Sequence, residues 1–226
     1  MAYWVRFFKD TIPSRVLWFI ERSFGKGFYK KKYRESKIIF VHIPKNAGVF
    51  VNKSLYGVEH LGHNSIVNIM KYDREYCAGK FFFCLSRNPY ERFVSAFSFL
   101  YQGGGDVGAD PAYVNLVRSY GDINQFIMHW LRGRNVDELD YVFKSQAYFV
   151  FDRKLLVDEF YDLGKLDMDC LSKSISDAAG EVVKFEKERR NTSSVAVKEK
   201  FKLDDTSKSL LGDIYSIDFE VFGYEK

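Results

Sequence analysis

The stretch Ile38-Ile39-Phe40-Val41-His42-Ile43-Pro44-Lys45-Asn46-Ala47-Gly48-Val49-Phe50-Val51 is an apolar run that stops at Pro-Lys-Asn-Ala-Gly and then resumes. A run rich in Ile, Val and Phe without polar alternation suits a strand buried on both faces, as in a parallel sheet covered by helices. Pro44 ends the ladder, Gly48 permits close backbone approach, and Lys45 sets a compact cation beside the free amides of the following helix. The reading is a strand over 38–43, a loop shaped to hold phosphate or sulfate, and a helix over 48–56 ending at Gly57. Its plain alternative is a basic turn in an ordinary α/β domain.

A second stretch repeats the plan. Phe81 to Leu85 reads as another buried strand, followed by Ser86-Arg87-Asn88-Pro89-Tyr90-Glu91-Arg92. Asn88 as N-cap, Pro89 at the first helical position and Glu91 closing a capping box signal a helix. Along that helix Phe93, Phe97 and Leu100 form the core stripe, while Asn88, Arg92 and Ser95 share another face, which brings Ser95 near the entry where Arg87 emerges. Arginine and a hydroxyl beside a helix N-terminus suit a phosphate monoester.

Length and composition bound what surrounds these stretches. A chain of 226 residues supports one α/β domain with a substantial core. Aromatics at 18% and only four prolines are the composition of a packed globule, not of a disordered segment. Residues 1–37 hold ten Lys or Arg against three acids, so that surplus of seven leaves the rest of a +4 chain at −3. We therefore divide the chain into a basic amphipathic N-terminal extension over 1–37 and an α/β domain over 38–226. Within 1–24, Trp4, Phe7, Phe8, Ile12, Val16, Phe19 and Ile20 recur at spacings of three and four with basic residues between them. Such a stripe either docks on its own domain, the commoner case, or lies on an anionic membrane. Lys30-Lys31-Lys32-Tyr33-Arg34 reads as a solvated connector.

Cys77, Cys84 and Cys170 are odd in number and lack metal-ligand spacing, which favours reduced thiols and a cytoplasmic setting. A lumenal Golgi domain of a longer chain is the alternative. Elsewhere the sequence predicts a helix capped by Asn64 or Ser65, helices over 111–119 and 123–132, and a strand over 146–151. Beyond these it predicts a short strand over 155–157, a helix over 167–179, a strand over 182–185, and a last helix capped by Thr206 and reaching about Ile217. His60 and His63, just beyond the first loop, are candidates for acid–base work.

Taken together, His42-Ile43-Pro44-Lys45-Asn46-Ala47-Gly48 and Arg87-Asn88-Pro89-Tyr90-Glu91-Arg92-Phe93-Val94-Ser95-Ala96-Phe97 resemble the paired motifs of carbohydrate sulfotransferases that use 3′-phosphoadenosine 5′-phosphosulfate (PAPS). The likeness runs on through His63-Asn64-Ser65, Gln146-Ala147-Tyr148-Phe149 and Asp218-Phe219-Glu220-Val221-Phe222-Gly223-Tyr224, and does not include the basic N-terminus. It implies a P-loop-like three-layer α/β fold, with a central, mostly parallel sheet flanked by helices. It further implies that Pro44, Lys45, Asn46, Ala47, Gly48 and Val49 hold the 5′-phosphosulfate and that Arg87 and Ser95 bind the 3′-phosphate. Arg190, Asn191 and Ser193 resemble the segment that closes over the nucleotide. The first motif departs from the family pattern after Gly48, where Val49 and Phe50 replace Thr and Ser.

The resemblance implies in-line sulfuryl transfer to a carbohydrate or glycolipid hydroxyl, with Lys45 neutralising the leaving phosphate. His63, with His60 second, would be the base. No metal constellation is visible and no nucleic-acid partner is expected. A P-loop kinase or NTPase is a rival, although Gly-x-x-x-x-Gly-Lys-Ser/Thr is absent. A non-catalytic binding module is another.

Overall fold

The computed structural model describes residues 14–24, 30–72, 74–105, 109–180, 182–185 and 200–226. In chain order its elements are α1 (Ser14–Ser23), α2 (Lys31–Glu35), β1 (Ile38–Val41), α3 (Gly48–Tyr56), α4 (Ile66–Tyr72) and α5 (Arg74–Cys77). There follow β2 (Phe81–Ser86), α6 (Pro89–Tyr101), α7 (Pro111–Tyr120), and α8 (Ile123–Phe126), which runs on as a π-helical turn over Ile127–Leu131. The remainder comprises α9 (Ala147–Val150), β3 (Phe151–Asp152), β4 (Lys154–Leu155), β5 (Glu159–Asp162), α10 (Met168–Ala179), α11 (Asp205–Ile214) and α12 (Ser216–Phe222).

Three strands form one parallel sheet in the order β1-β2-β5, with Ile38 opposite Phe81 and Cys84 opposite Phe160. Every residue of β1 is buried, as are Phe82 to Ser86 of β2, so the unbroken apolar runs do mark strands covered on both faces. The α/β expectation is met in that form: a parallel sheet with helices around it. Cys84 is a fully buried apolar residue at its centre.

Two apolar clusters carry the packing. One surrounds the sheet and includes Ile39, Phe40, Phe83, Val51, Ile66 and Leu171. The other lies among helices, where Phe93 and Phe97 of α6 meet Phe126, Phe143 and Tyr215 in a set of close aromatic pairs. Each buried Phe contributes about 1.5–3 kcal/mol of transfer free energy, so α6 is firmly anchored by its own packing.

Several expectations are corrected. Of the strand expected over 146–151 only Phe151 is extended, as the start of β3; Ala147–Val150 form the helical turn α9, because the amides of Gln146 and Ala147 are taken by the Asp218 carboxylate and not by a ladder. The short strand expected over 155–157 is the two-residue β4, turning back on β3 through Arg153. Residues 182–185 are no strand either: Val183 and Phe185 donate to the hydroxyls of Ser176 and Ser172 on α10. The third strand, β5, was not expected, since Glu159 and Asp162 flank only two apolar residues. Asp204, not Thr206, caps α11, and the last helix breaks at Tyr215 into α11 and α12. The Lys30–Arg34 connector is mostly the helix α2, with Tyr33 buried and Lys30 donating to the Leu61 carbonyl at 2.9 Å.

Candidate functional site

The site is built where β1 and β2 end on the same edge of the sheet. Beyond β1, Lys45 and Ala47 both adopt left-handed backbone (φ 70° and 56°), a conformation costing an ordinary residue about 1–2 kcal/mol. The surroundings impose it. Arg92, fully buried on α6, donates from Nε to the Pro44 carbonyl at 3.0 Å and from Nη2 to the Val142 carbonyl at 3.3 Å. Asn46 turns inward and its Nδ2 donates to the Leu85 carbonyl and to Gln146 Oε1, both at 2.7 Å. Gly48 is required for a different reason: a Cβ there would lie 1.8 Å from the buried His42 ring.

The donors available to an anion are fewer than the sequence suggests. The side chain of Asn46 faces the interior and its backbone amide is bonded to the Ile43 carbonyl, so neither is offered outward. Gly48 and Val49 open the first turn of α3, where amides have no intrahelical acceptor. Phe50, in the place of a hydroxyl, is buried in the sheet cluster.

Lys45 is half-buried, its ammonium 3.9 Å from the centre of the Phe99 ring, and has no acid partner among the described residues. Burial, and then the positive charges of Arg87 and Arg92, lower its pKa to about 8. A desolvated cation repelled by two others is a group whose charge an incoming anion would restore.

Beyond β2, Asn88 accepts from the amides of Tyr90 and Glu91, as expected for the cap, but Glu91 does not close a capping box. Its carboxylate accepts from Arg87 Nε and Nη2 at 3.3 and 3.2 Å. The Arg87 side chain is 17% exposed, and its Nη1 points at the Lys45 carbonyl 3.5 Å away, so the two loops adjoin. Ser95 is half-buried and lies on the α6 stripe between Arg92, which holds Pro44, and Phe99, which lies under Lys45.

Gln146 ties the loops together. Its Oε1 accepts from Asn46 and from the Arg87 amide, and its Nε2 donates to the Arg87 carbonyl at 2.8 Å. Asp218 on α12 holds Gln146 in turn through the amides of residues 146 and 147. Burial raises the Asp218 pKa to about 6, against the pull of Arg92 and of those amides.

His63 stands against His42 at the end of β1, the two rings 4.2 Å apart. Its Nδ1 is 3.1 Å from the His42 carbonyl and its ring stacks on Tyr141 at 4.7 Å. A nitrogen paired with a carbonyl must carry the proton, which leaves Nε2 as the acceptor. Burial lowers the His63 pKa to about 4, with Lys45, Arg92 and His60 adding to the effect and the His42 carbonyl opposing it. His60 is different in kind: it is exposed, with Nε2 4.0 Å from Glu59.

A cleft of about 980 Å³ opens beside Arg87, at the carboxyl ends of β2 and β5, between Tyr90, Asp162, Lys208 and Tyr224. Among the described residues, Arg87 is the member of the candidate set that borders it; Pro44–Val49, Ser95, His60 and His63 do not. Arg190, Asn191 and Ser193 lie outside the described residues. Sequence reasoning missed Arg92, Gln146, Asp218 and Tyr141 as parts of the site. The sequence sets Arg92 on one face with Asn88 and Ser95, and only the packing shows its side chain buried against Pro44.

Comparison with protein-family models, with curated proteins and with solved structures returns no match.

Proposed function

We propose that the protein transfers the sulfuryl group of PAPS to a hydroxyl of a carbohydrate or glycolipid, on a P-loop-like fold. One observation carries the reading: Lys45 and Arg87 leave adjacent parallel strands on one edge, with the Arg87 guanidinium 3.5 Å from the Lys45 carbonyl. Ligands of open α/β sheets bind outside the carboxyl ends of the strands, and a nucleotide charged at both ends needs two cations held a fixed distance apart.

The residues fit that group in part. Lys45, the amides of Gly48 and Val49, and the first-turn dipole of α3 would take the 5′ end. Arg87, released from Glu91, would take the 3′-phosphate together with Ser95. Lys45 would hold the charge left on the departing phosphate oxygen, a contribution that grows in a dry site. His63 Nε2 would take the acceptor proton while the hydroxyl oxygen bonds sulfur and the bond from sulfur to the phosphate oxygen breaks; its low pKa keeps it neutral at pH 7.

A second reading, a non-catalytic anion-binding module of the same fold, is favoured by Val49 and Phe50, which supply no hydroxyl where the family has two. Thermal-shift measurements with 3′-phosphoadenosine 5′-phosphate and with magnesium ATP, followed by a labelled-sulfate transfer screen over glycan and glycolipid acceptors, test both. Stabilisation by the bisphosphate together with transfer supports the enzyme. Stabilisation without transfer supports the module, and stabilisation by magnesium ATP alone excludes both.

A further inference from the structure

We infer that helix α1 seats the protein on an anionic lipid surface. Four large hydrophobic residues are exposed among the described ones, and three of them are in or beside this one helix: Val16 at 49%, Phe19 at 64% and Phe24 at 71%. Val16 and Phe19 are one turn apart and Ile20 is half-buried beside them, so the apolar residues form a stripe and are not scattered singly. The more usual expectation, that such a stripe docks on its own domain, is not met for Val16 and Phe19.

Charge identifies the occupant. The segment 1–37 carries a surplus of seven positive charges, while the rest of the chain is at −3. Arg22, Lys31, Lys32 and Arg34 are all exposed, with Lys31 in an i,i+4 pair with Glu35. A second copy of this chain would bring the same surplus against itself, whereas a surface of anionic headgroups attracts it. An exposed apolar stripe beside a polybasic run is the two-part signal that peripheral attachment needs, since neither part alone holds well. Among the described residues no helix is long and apolar enough to cross a membrane, which fits a helix lying in the interface. The inference is independent of the sulfuryl-transfer reading.

Co-sedimentation of the full chain with phosphatidylcholine vesicles, with and without phosphatidylglycerol, tests it. We expect binding to the anionic vesicles only. Phe19→Ser should weaken it on the order of tenfold, since an inserted aromatic is lost. Lys31→Gln and Lys32→Gln should each weaken it about fivefold at low salt, and the difference from wild type should shrink as salt rises and screens the attraction. All three residues are exposed, so unfolding temperatures should match wild type. Failure to bind anionic vesicles, equal binding to neutral ones, or a dimer that Phe19→Ser dissolves in place of vesicle binding would each overturn the inference.

Discussion

The loop after β1 and the loop after β2 leave neighbouring strands at the same edge, yet they are held by different means. The first is strained and fastened from outside: two left-handed residues, a carbonyl gripped by buried Arg92, and an Asn46 side chain turned inward. What it offers outward is backbone and Lys45. The second contains no positive-φ residue, is capped by its own Asn88, and offers a side chain, Arg87, checked by Glu91. A loop that must present amides needs rigid external support, whereas a loop that presents one guanidinium needs only a neighbour to aim it.

Removing the external support should have the largest effect. Arg92→Ala takes the neighbouring positive charge from buried Asp218 and frees the Pro44 and Val142 carbonyls, and should cost about 3–5 kcal/mol in denaturant unfolding. A loss under about 1 kcal/mol would mean that the β1 loop holds itself. Gln146→Leu should come next. It strands the amide and carbonyl of Arg87 and one contact of Asn46, at about 3 kcal/mol, and should raise amide exchange in residues 44–48 and 86–88 together. Faster exchange in only one segment would show that the two loops are not coupled.

His63→Ala should lower turnover on the order of a hundredfold. The pH dependence carries a sign. A base whose pKa is lowered to about 4 is lost only as pH falls through that value, so kcat/KM should hold well below pH 6 before its acid limb appears. A limb near neutral pH would remove His63 from the role of base. The smallest effect should come from Glu91→Gln, which removes a half-exposed check on Arg87 and should tighten the bisphosphate about threefold. Weaker binding would mean that Glu91 aims Arg87 and does not compete for it.

Sequence and structure agree where a single segment decides its own conformation. β1, β2, the α3 boundary at Gly57 and the Asn88–Pro89 start of α6 are all fixed by residues within reach of one another, and all were legible. Disagreement appears where a distant partner decides. Gln146-Ala147-Tyr148-Phe149 has strand-like composition, but Asp218, more than seventy residues away, turns it into a helix start. Arg92 reads only as a residue off the core stripe, sharing a face with Asn88 and Ser95, until Pro44 and Val142 close over it, and Asn46 reads as a donor until Leu85 and Gln146 claim it. In the site, Lys45, Gly48, Arg87 and His63 could therefore be named from sequence, while the network that spaces them could not.

The claim that both loops grip one nucleotide is tested most directly by calorimetry on a two-by-two cycle. Wild type and Arg87→Ala are each titrated with 3′-phosphoadenosine 5′-phosphate and with adenosine 5′-phosphate. The account predicts that removing the guanidinium weakens the bisphosphate on the order of tenfold or more, leaves adenosine 5′-phosphate nearly unchanged, and so gives strong non-additivity. Equal losses for both nucleotides, or additive ones, would contradict it.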